Sequence, residues 1–133
     1  KGQNPIACSH ACNIARNGNE KKTVILIFDD FYDAKTTSEN IAWIYDTDFE
    51  FLINENILKI IVGGKRSADY MVRLLIAGIP KEKIICCDHE EDTADLVDIS
   101  ASENIYILFD MYNFRYKSNI EAKLKEKIRN ASE

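Results

Sequence analysis

Acidic side chains follow several apolar runs of this sequence, at the points where buried strands are expected to end. Asp29 and Asp30 come after the first run, Asp88 after the third and Asp110 after the fourth; residues 63–66, Gly-Gly-Lys-Arg, follow the second. Because ligands of open parallel sheets bind at the carboxyl ends of the strands, we expect these side chains to converge at one edge. Asp and Gly in such places also form ordinary turns and helix caps.

Three enzyme patterns fit these residues incompletely. The acidic pair at 29–30 suits a phosphate-receiver domain, but no Lys ends the run at 105–109. Residues 46–50, Asp-Thr-Asp-Phe-Glu, begin like the motif of a haloacid-dehalogenase-type phosphatase and then depart from it at Glu50. Residues 63–67 match neither dinucleotide-binding nor P-loop spacing, although they are compatible with an anion at a helix N-terminus. A stand-alone phosphotransfer or phosphatase domain therefore remains an alternative.

The elements that must position these side chains alternate between strands and helices. Four apolar runs rich in Ile and Val lack strict alternation, as is typical of strands covered on both faces. They are residues 24–28, 57–62, 84–87 and 105–109. Helical spacing predicts a crossover helix over 68–79, a shorter helix over 92–97 and a closing helix that includes 120–128. With right-handed crossovers, the order predicts an α/β fold: a Rossmann-like open parallel sheet with helices on both faces.

The beginning of the chain has its own interpretation. Pro5 suits the first turn of a helix and Asn17-Gly18 a stop, which predicts a helix over 5–17. The sequence begins with Lys rather than Met, and a helix-start pattern, Asn4-Pro5, follows almost at once. Residues 1–20 are therefore interpreted as a lead-in helix and a junction to a missing upstream domain. Residues 21–133 are then the α/β domain.

Composition narrows the classes of function. The 133 residues suit one domain, 46% of them are apolar, and the formal charge of −5 argues against nucleic-acid binding. No membrane-length apolar run or signal peptide is apparent, which favours a cytoplasmic protein. The sequence offers no convincing metal site: the thiols of Cys8 and Cys12 lack a second Cys/His pair, and Cys86 and Cys87 are expected to pack as small hydrophobes.

Four motifs in a fixed order carry a resemblance to a known family. They are Asp-Asp at 29–30, Ile-Ala-Trp-Ile-Tyr-Asp-Thr-Asp-Phe-Glu at 41–50, Gly-Lys-Arg at 64–66 followed by Asp69, and Arg-Leu-Leu-Ile-Ala-Gly at 73–78. Together they resemble the C-terminal domain of MurT, the Mur-ligase-like subunit of lipid II isoglutaminyl synthase. The resemblance covers nearly the whole chain, and it implies the Rossmann-like fold of Mur ligase C-terminal domains.

The resemblance implies a reaction shared between two subunits. A glutaminase of the GatD type uses a Cys and a His to release ammonia from glutamine, and MurT activates the D-glutamate carboxylate of the lipid II stem peptide with ATP. ATP and Mg²⁺ are expected in the full-length protein, whereas this domain alone is expected to bind neither and to be inactive. The glutaminase and the stem peptide are the implied partners, and the membrane is contacted only through the substrate.

The resemblance also implies roles for individual residues. An Asp of this domain is understood to complete the Cys-His pair in trans, orienting the imidazole and stabilising its charged form. Our candidate is Asp46, with Asn40, which stands where the family carries Asp, as the second. Predicted substrate or nucleotide contacts are Asp29, Asp30, Arg66 and Arg73, and predicted partner-interface residues are Asn40, Trp43, Tyr45 and Asp48.

Simpler interpretations of the same residues remain open. Asp46 is equally compatible with a cap beside a buried Trp43, the aromatic residues with packing, and the two arginines with pairing to Asp69. At the level of the whole domain, a non-catalytic module that docks a partner is the nearest alternative function.

Overall fold

A single parallel sheet organises the computed structural model, which describes residues 5–28, 42–110 and 113–131. Its strands are β1 (Lys22–Ile27), β2 (Ile57–Gly63), β3 (Ile84–Cys87) and β4 (Asn104–Phe109). All neighbouring pairs are parallel, in the order β3-β2-β1-β4. All four strands lie within a residue or two of the predicted apolar runs, because apolar side chains that pack on both faces of a parallel sheet leave a continuous hydrophobic run in the sequence.

The central strand β1 has side chains in two separate cores. Val24 and Leu26 pack into a larger core on one face, and Ile25 and Ile27 pack into a smaller core on the other. Alternate residues of a strand point to opposite faces, so both faces of the sheet must be covered. This confirms the predicted open α/β sheet.

Helices cover the two faces unequally. Helix α1 (Pro5–Arg16) and helix α2 (Ser67–Ala77) lie on the larger core, and helix α3 (Phe114–Ala131) lies on the smaller one together with a 3-10 segment, Glu90–Leu96. The predicted short helix at 92–97 is this 3-10 segment. Helix α2 ends where Gly78 adopts φ 104° and donates to the carbonyls of Leu74 and Leu75, a left-handed cap that favours glycine.

Helix α1 packs as part of the sheet domain. Its inward side chains Cys8, Cys12 and Ala15 are buried in the same core as β1 and β2. The prediction that residues 1–20 join this domain to an upstream one stays a prediction. Within the chain, however, the helix acts as a structural layer of the domain.

The four cysteines are all free thiols, but they differ in environment. Cys8 and Cys12 are buried, and a hydrogen bond with Cys8, together with burial, raises the pKa of Cys12 well above its usual range. Cys86 is exposed on the edge strand β3, so the prediction that it packs as a small hydrophobe was wrong. Burial raises the pKa of Cys87 to about 11. Raised pKa values keep Cys12 and Cys87 protonated at neutral pH, which makes them poor nucleophiles.

Within the described ranges, no helix combines the length and the apolar character needed to cross a membrane. The same ranges contain no group of three or more Cys, His, Asp or Glu side chains placed to hold a metal ion.

Gly63, at the end of β2, permits a close approach that any larger residue prevents. A Cβ atom there would lie 2.4 Å from Thr93 Cγ2 and 3.2 Å from the Cα of Glu90. We expect Gly63→Ala to lower the free energy of unfolding by about 1–3 kcal/mol, as overpacking of a core does. Urea unfolding measures the loss. Adding Thr93→Ser, which removes Cγ2 but keeps the hydroxyl that donates to the Glu90 carbonyl, should restore part of it; no restoration would contradict this account.

Candidate functional site

The chain between β1 and β2 carries the predicted chemistry, and its second half forms two short 3-10 segments. These are Ala42–Asp46 and Phe49–Leu52, and we call residues 42–52 the acidic block. Ile44, Phe49 and Leu52 are buried in the larger core. Because these inward side chains alternate with exposed ones, the block has one face fixed against the domain and another in solvent.

Aromatic packing fixes the beginning of the block. The half-buried Trp43 ring meets Phe28 edge-on at 6.0 Å between centroids and lies 6.3 Å from the ring of Tyr70. The Tyr70 hydroxyl donates to the carbonyl of Phe28 at the end of β1. Such edge-to-face pairs stabilise beyond the area they bury. The packing interpretation of Trp43 thus has a definite structural basis, whereas its role at an interface stays a prediction.

Two adjacent side chains of the block point into solvent. Tyr45 is 54% exposed and Asp46 is exposed beside it. Within the part of the chain that the structure describes, the Asp46 carboxylate has no hydrogen-bond or ion-pair partner. An exposed carboxylate without a partner among the described residues can accept a hydrogen bond from a group outside the domain.

Asp48 differs from Asp46 in how its backbone is held. The side chain is exposed, but the backbone N–H of Asp48 donates to Ser9 Oγ at 2.8 Å, and Ser9 belongs to α1. The Ser9 hydroxyl in turn donates to the carbonyl of Pro5 at 2.8 Å. Helix α1 therefore fixes the backbone of the block two residues after Asp46.

Arg73 of α2 holds the block from the other side. Its Nε donates to the carbonyl of Ile44 at 3.0 Å, and its Nη2 donates to the carbonyl of Thr47 at 2.7 Å and to the Glu50 carboxylate at 3.0 and 3.2 Å. The guanidinium carbon lies 5.5 Å from the centre of the Phe49 ring. The Arg73 side chain is only 5% exposed, so its two bonds to the backbone carbonyls form away from water, where hydrogen bonds are strongest.

Glu50 contributes to the pH dependence of stability. The hydrogen bond from Arg73 holds the pKa of Glu50 below its ordinary value of 4.5. A carboxylate with a lowered pKa in the folded state stabilises the fold above its unfolded pKa, and the contribution disappears as the pH falls through the folded pKa. We expect the stability difference between wild type and Glu50→Gln to shrink in acid below about pH 4.5. Because the side chain is 51% exposed, the effect should stay below about 1 kcal/mol.

Denaturant unfolding of both proteins between neutral and acidic pH measures this difference. A gap that stays constant through the acid range would show that the Glu50 carboxylate adds no net stability.

Arg66 lies at the start of α2, one helical turn from Asp69. Its Nη1 bonds to Asp69 Oδ2 at 3.0 Å, and the residue is 6% exposed. The pairing with Asp69 considered from the sequence is therefore present for Arg66, whereas Arg73 pairs with Glu50 instead. Contact of either arginine with a nucleotide or substrate stays a prediction.

Three predicted site residues lie outside the described residues: Asp29, Asp30 and Asn40. Of the other strand-end acids, Asp88 is exposed, and Asp110 accepts the backbone N–H of Asn113 at 3.1 Å. Asn113 was not predicted from the sequence as a structural or functional residue. It is buried, and its amide donates to the Ile27 carbonyl at 2.7 Å, joining the end of β1 to the start of α3. Its position three residues after a strand-end Asp was the only available signal.

The four-stranded parallel sheet, with helices on both faces, defines a Rossmann-like α/β domain, and the acidic block lies on its surface. A family model described as MurT ligase C-terminal matches residues 2–113. The chain therefore belongs to the MurT ligase C-terminal family, which confirms the resemblance seen in the sequence motifs.

Curated relatives agree with this assignment. The MurT subunits of lipid II isoglutaminyl synthase (glutamine-hydrolyzing) from Staphylococcus aureus strains COL and N315 are each 33% identical over 97 residues, covering 72% of this chain and 21% of the relative. The corresponding subunit of Streptococcus pneumoniae strain ATCC BAA-255 / R6 is 27% identical over 107 residues, covering 80% of this chain and 23% of the relative. The chain thus spans about one fifth of the length of these relatives.

Proposed function

We propose that this chain is the C-terminal domain of the MurT-type subunit of a lipid II isoglutaminyl synthase, and that Asp46 completes the Cys-His pair of a partner glutaminase in trans. The observation that carries the proposal is the Asp46 carboxylate, which is exposed and has no partner in the described ranges, on a block otherwise fixed by α1 and α2. The relatives named as glutamine-hydrolyzing synthase subunits support the class of reaction.

The chemistry that the proposal assigns to Asp46 is electrostatic. A carboxylate that accepts a hydrogen bond from the imidazole of the partner selects the tautomer that can take the thiol proton of the catalytic Cys. It also stabilises the imidazolium that forms, so that the thiolate can attack the glutamine amide carbon and release ammonia. Asp46 needs no internal hydrogen bond for this role, and an internal ion pair would compete with it.

ATP and Mg²⁺ belong, in this proposal, to the full-length protein. Within the described ranges no cluster of three metal-ligating side chains occurs, and both candidate arginines bond to neighbouring carboxylates. In this proposal, Mg²⁺ binding and activation of the D-glutamate carboxylate are assigned to parts of the subunit beyond this chain.

Reconstitution tests the proposed class. The full-length subunit, mixed with a glutaminase encoded beside it, should hydrolyse glutamine and amidate the stem peptide of lipid II in an ATP-dependent reaction, while each subunit alone should not. A reading frame that lacks a Mur-ligase ATP-binding domain upstream, without a neighbouring glutaminase gene, would overturn the proposal. Labelling of the protein by acetyl phosphate with Mg²⁺, abolished by Asp29→Asn, would favour a phosphotransfer domain instead.

A further inference from the structure

Arg73 forms hydrogen bonds to the backbone on both sides of Asp46 in the sequence. The guanidinium binds the carbonyl of Ile44 through Nε and that of Thr47 through Nη2, and the only residues between these two are Tyr45 and Asp46. We propose that Arg73 is a positioning residue for Asp46: it sets the conformation of the turn that presents the carboxylate to a partner's imidazole. This inference rests on the proposed function of Asp46.

The geometry of the guanidinium group explains how the single side chain of Arg73 can fix the turn that carries Asp46. The donors of an arginine lie in one rigid plane, so two carbonyls bound to the same guanidinium have a fixed spacing and direction. The turn between them is also closed by the Thr47 backbone N–H, which donates to the Ile44 carbonyl at 3.3 Å. A turn whose two end residues are bound both to Arg73 and to each other leaves Tyr45 and Asp46 few backbone conformations.

Arg73 is itself held in place. Its stem rises from α2, its carbon lies over the buried Phe49 ring, and the Glu50 carboxylate accepts two of its hydrogen bonds. The side chain is nine-tenths buried, so water does not compete for the two carbonyls. A lysine at this position would keep the positive charge but would lack the planar fork that binds both carbonyls.

An anion contact is the competing role for Arg73. Its Nη1 is buried and has no hydrogen-bond partner among residues 5–28, 42–110 and 113–131. A substrate carboxylate or phosphate bound there would make Arg73 a binding residue, whose loss would raise the KM for ATP or for the stem peptide. The two bonds to the turn carbonyls favour positioning, because they are already made within the domain.

The experiment uses the full-length subunit assembled with its glutaminase. We expect Arg73→Lys to lower kcat for glutamine hydrolysis by about 10- to 100-fold, as misplacement of a catalytic group does, with the KM for glutamine unchanged. Glu50→Gln is the matched control: it removes the negative charge but keeps an acceptor oxygen for Arg73 Nη2 and both carbonyl bonds, so hydrolysis should change by less than about threefold. In an Asp46→Asn background, Arg73→Lys should cause no further loss, because the group it positions is already gone.

The remaining outcomes would overturn either the role of Arg73 or that of Asp46. If Arg73→Lys lowers the activity of Asp46→Asn by the same factor as that of wild type, Arg73 acts on folding or assembly and the inference fails. A raised KM for ATP or stem peptide with unchanged glutamine hydrolysis would overturn it in favour of anion binding. Arg73→Gln, which leaves no buried charge, is measured in parallel, and failure of both variants to assemble would also count against positioning. If Asp46→Asn alone leaves hydrolysis unchanged, it is the proposed function that fails.

Discussion

Asp46→Asn is expected to reduce glutamine hydrolysis by the assembled enzyme by about two to four orders of magnitude. The asparagine amide has nearly the shape of the carboxylate but carries no charge, so it cannot stabilise the imidazolium, and its NH₂ group can favour the wrong imidazole tautomer. ATP binding should be unaffected, because the change is made on an exposed side chain with no partner in the described ranges. Steady-state glutamine hydrolysis and a separate nucleotide-binding measurement test both parts.

Asp48→Asn provides the control for Asp46. Asp48 is two residues further along the same block, is equally exposed, and keeps its backbone bond to Ser9 after the substitution. Because Asp48 is a predicted partner-interface residue, this variant is measured at saturating glutaminase, where kcat for hydrolysis should stay within about threefold of wild type. If instead Asp46→Asn has no effect, the position of Asn40 becomes the candidate. A gain of hydrolysis in Asn40→Asp would then show that this protein has lost the carboxylate its family carries there.

Phe49→Ala is expected to give the largest loss of stability. The ring is fully buried, lies 6.4 Å from the Tyr70 ring between centroids, and is covered by the Arg73 guanidinium. Truncating a buried Phe costs about 3–5 kcal/mol, which is a large part of the 5–15 kcal/mol that holds a typical domain folded. Urea unfolding, compared at equal m-values, measures the change.

Phe51→Ala distinguishes loss of core packing from loss of any aromatic ring in the block. Phe51 is half-buried, and its ring stacks with the guanidinium of Arg16 at 4.6 Å on the surface of α1. We expect Phe51→Ala to cost clearly less than Phe49→Ala, about 1–2 kcal/mol. Equal losses for the two variants would contradict the burial of Phe49 that fixes the inner face of the acidic block.

The two arginines show how far sequence reasoning about the site extends. Sequence motifs singled out both Arg66 and Arg73, but as contacts for an external anion or partners of Asp69. Only the fold brings Arg73 against carbonyls 26 and 29 residues earlier in the chain, and against Glu50. No local pattern encodes such contacts, since backbone carbonyls are present at every residue and their direction depends on the turn.

Local signals in the sequence determined the elements of this protein. Continuous Ile- and Val-rich runs predicted all four strands, Pro5 and Asn17-Gly18 marked the start and the end of the first helix, and the block around Trp43 identified the family. These features depend on burial, backbone conformation and residue order, which neighbouring residues report directly.

Tertiary structure decided what those elements do together. Four features depend on residues that are distant in the sequence. They are the strand order β3-β2-β1-β4, the exposure of Cys86 on an edge strand, the packing of α1 into the larger core and the hydrogen bonds of Arg73 to the acidic block. The strand order and the packing of α1 are settled by which apolar faces bury each other, a balance over the whole domain. The sequence alone thus supplied Asp46 as a candidate. The fold shows that its side chain is exposed and that Arg73 binds the backbone on either side of it, at Ile44 and Thr47.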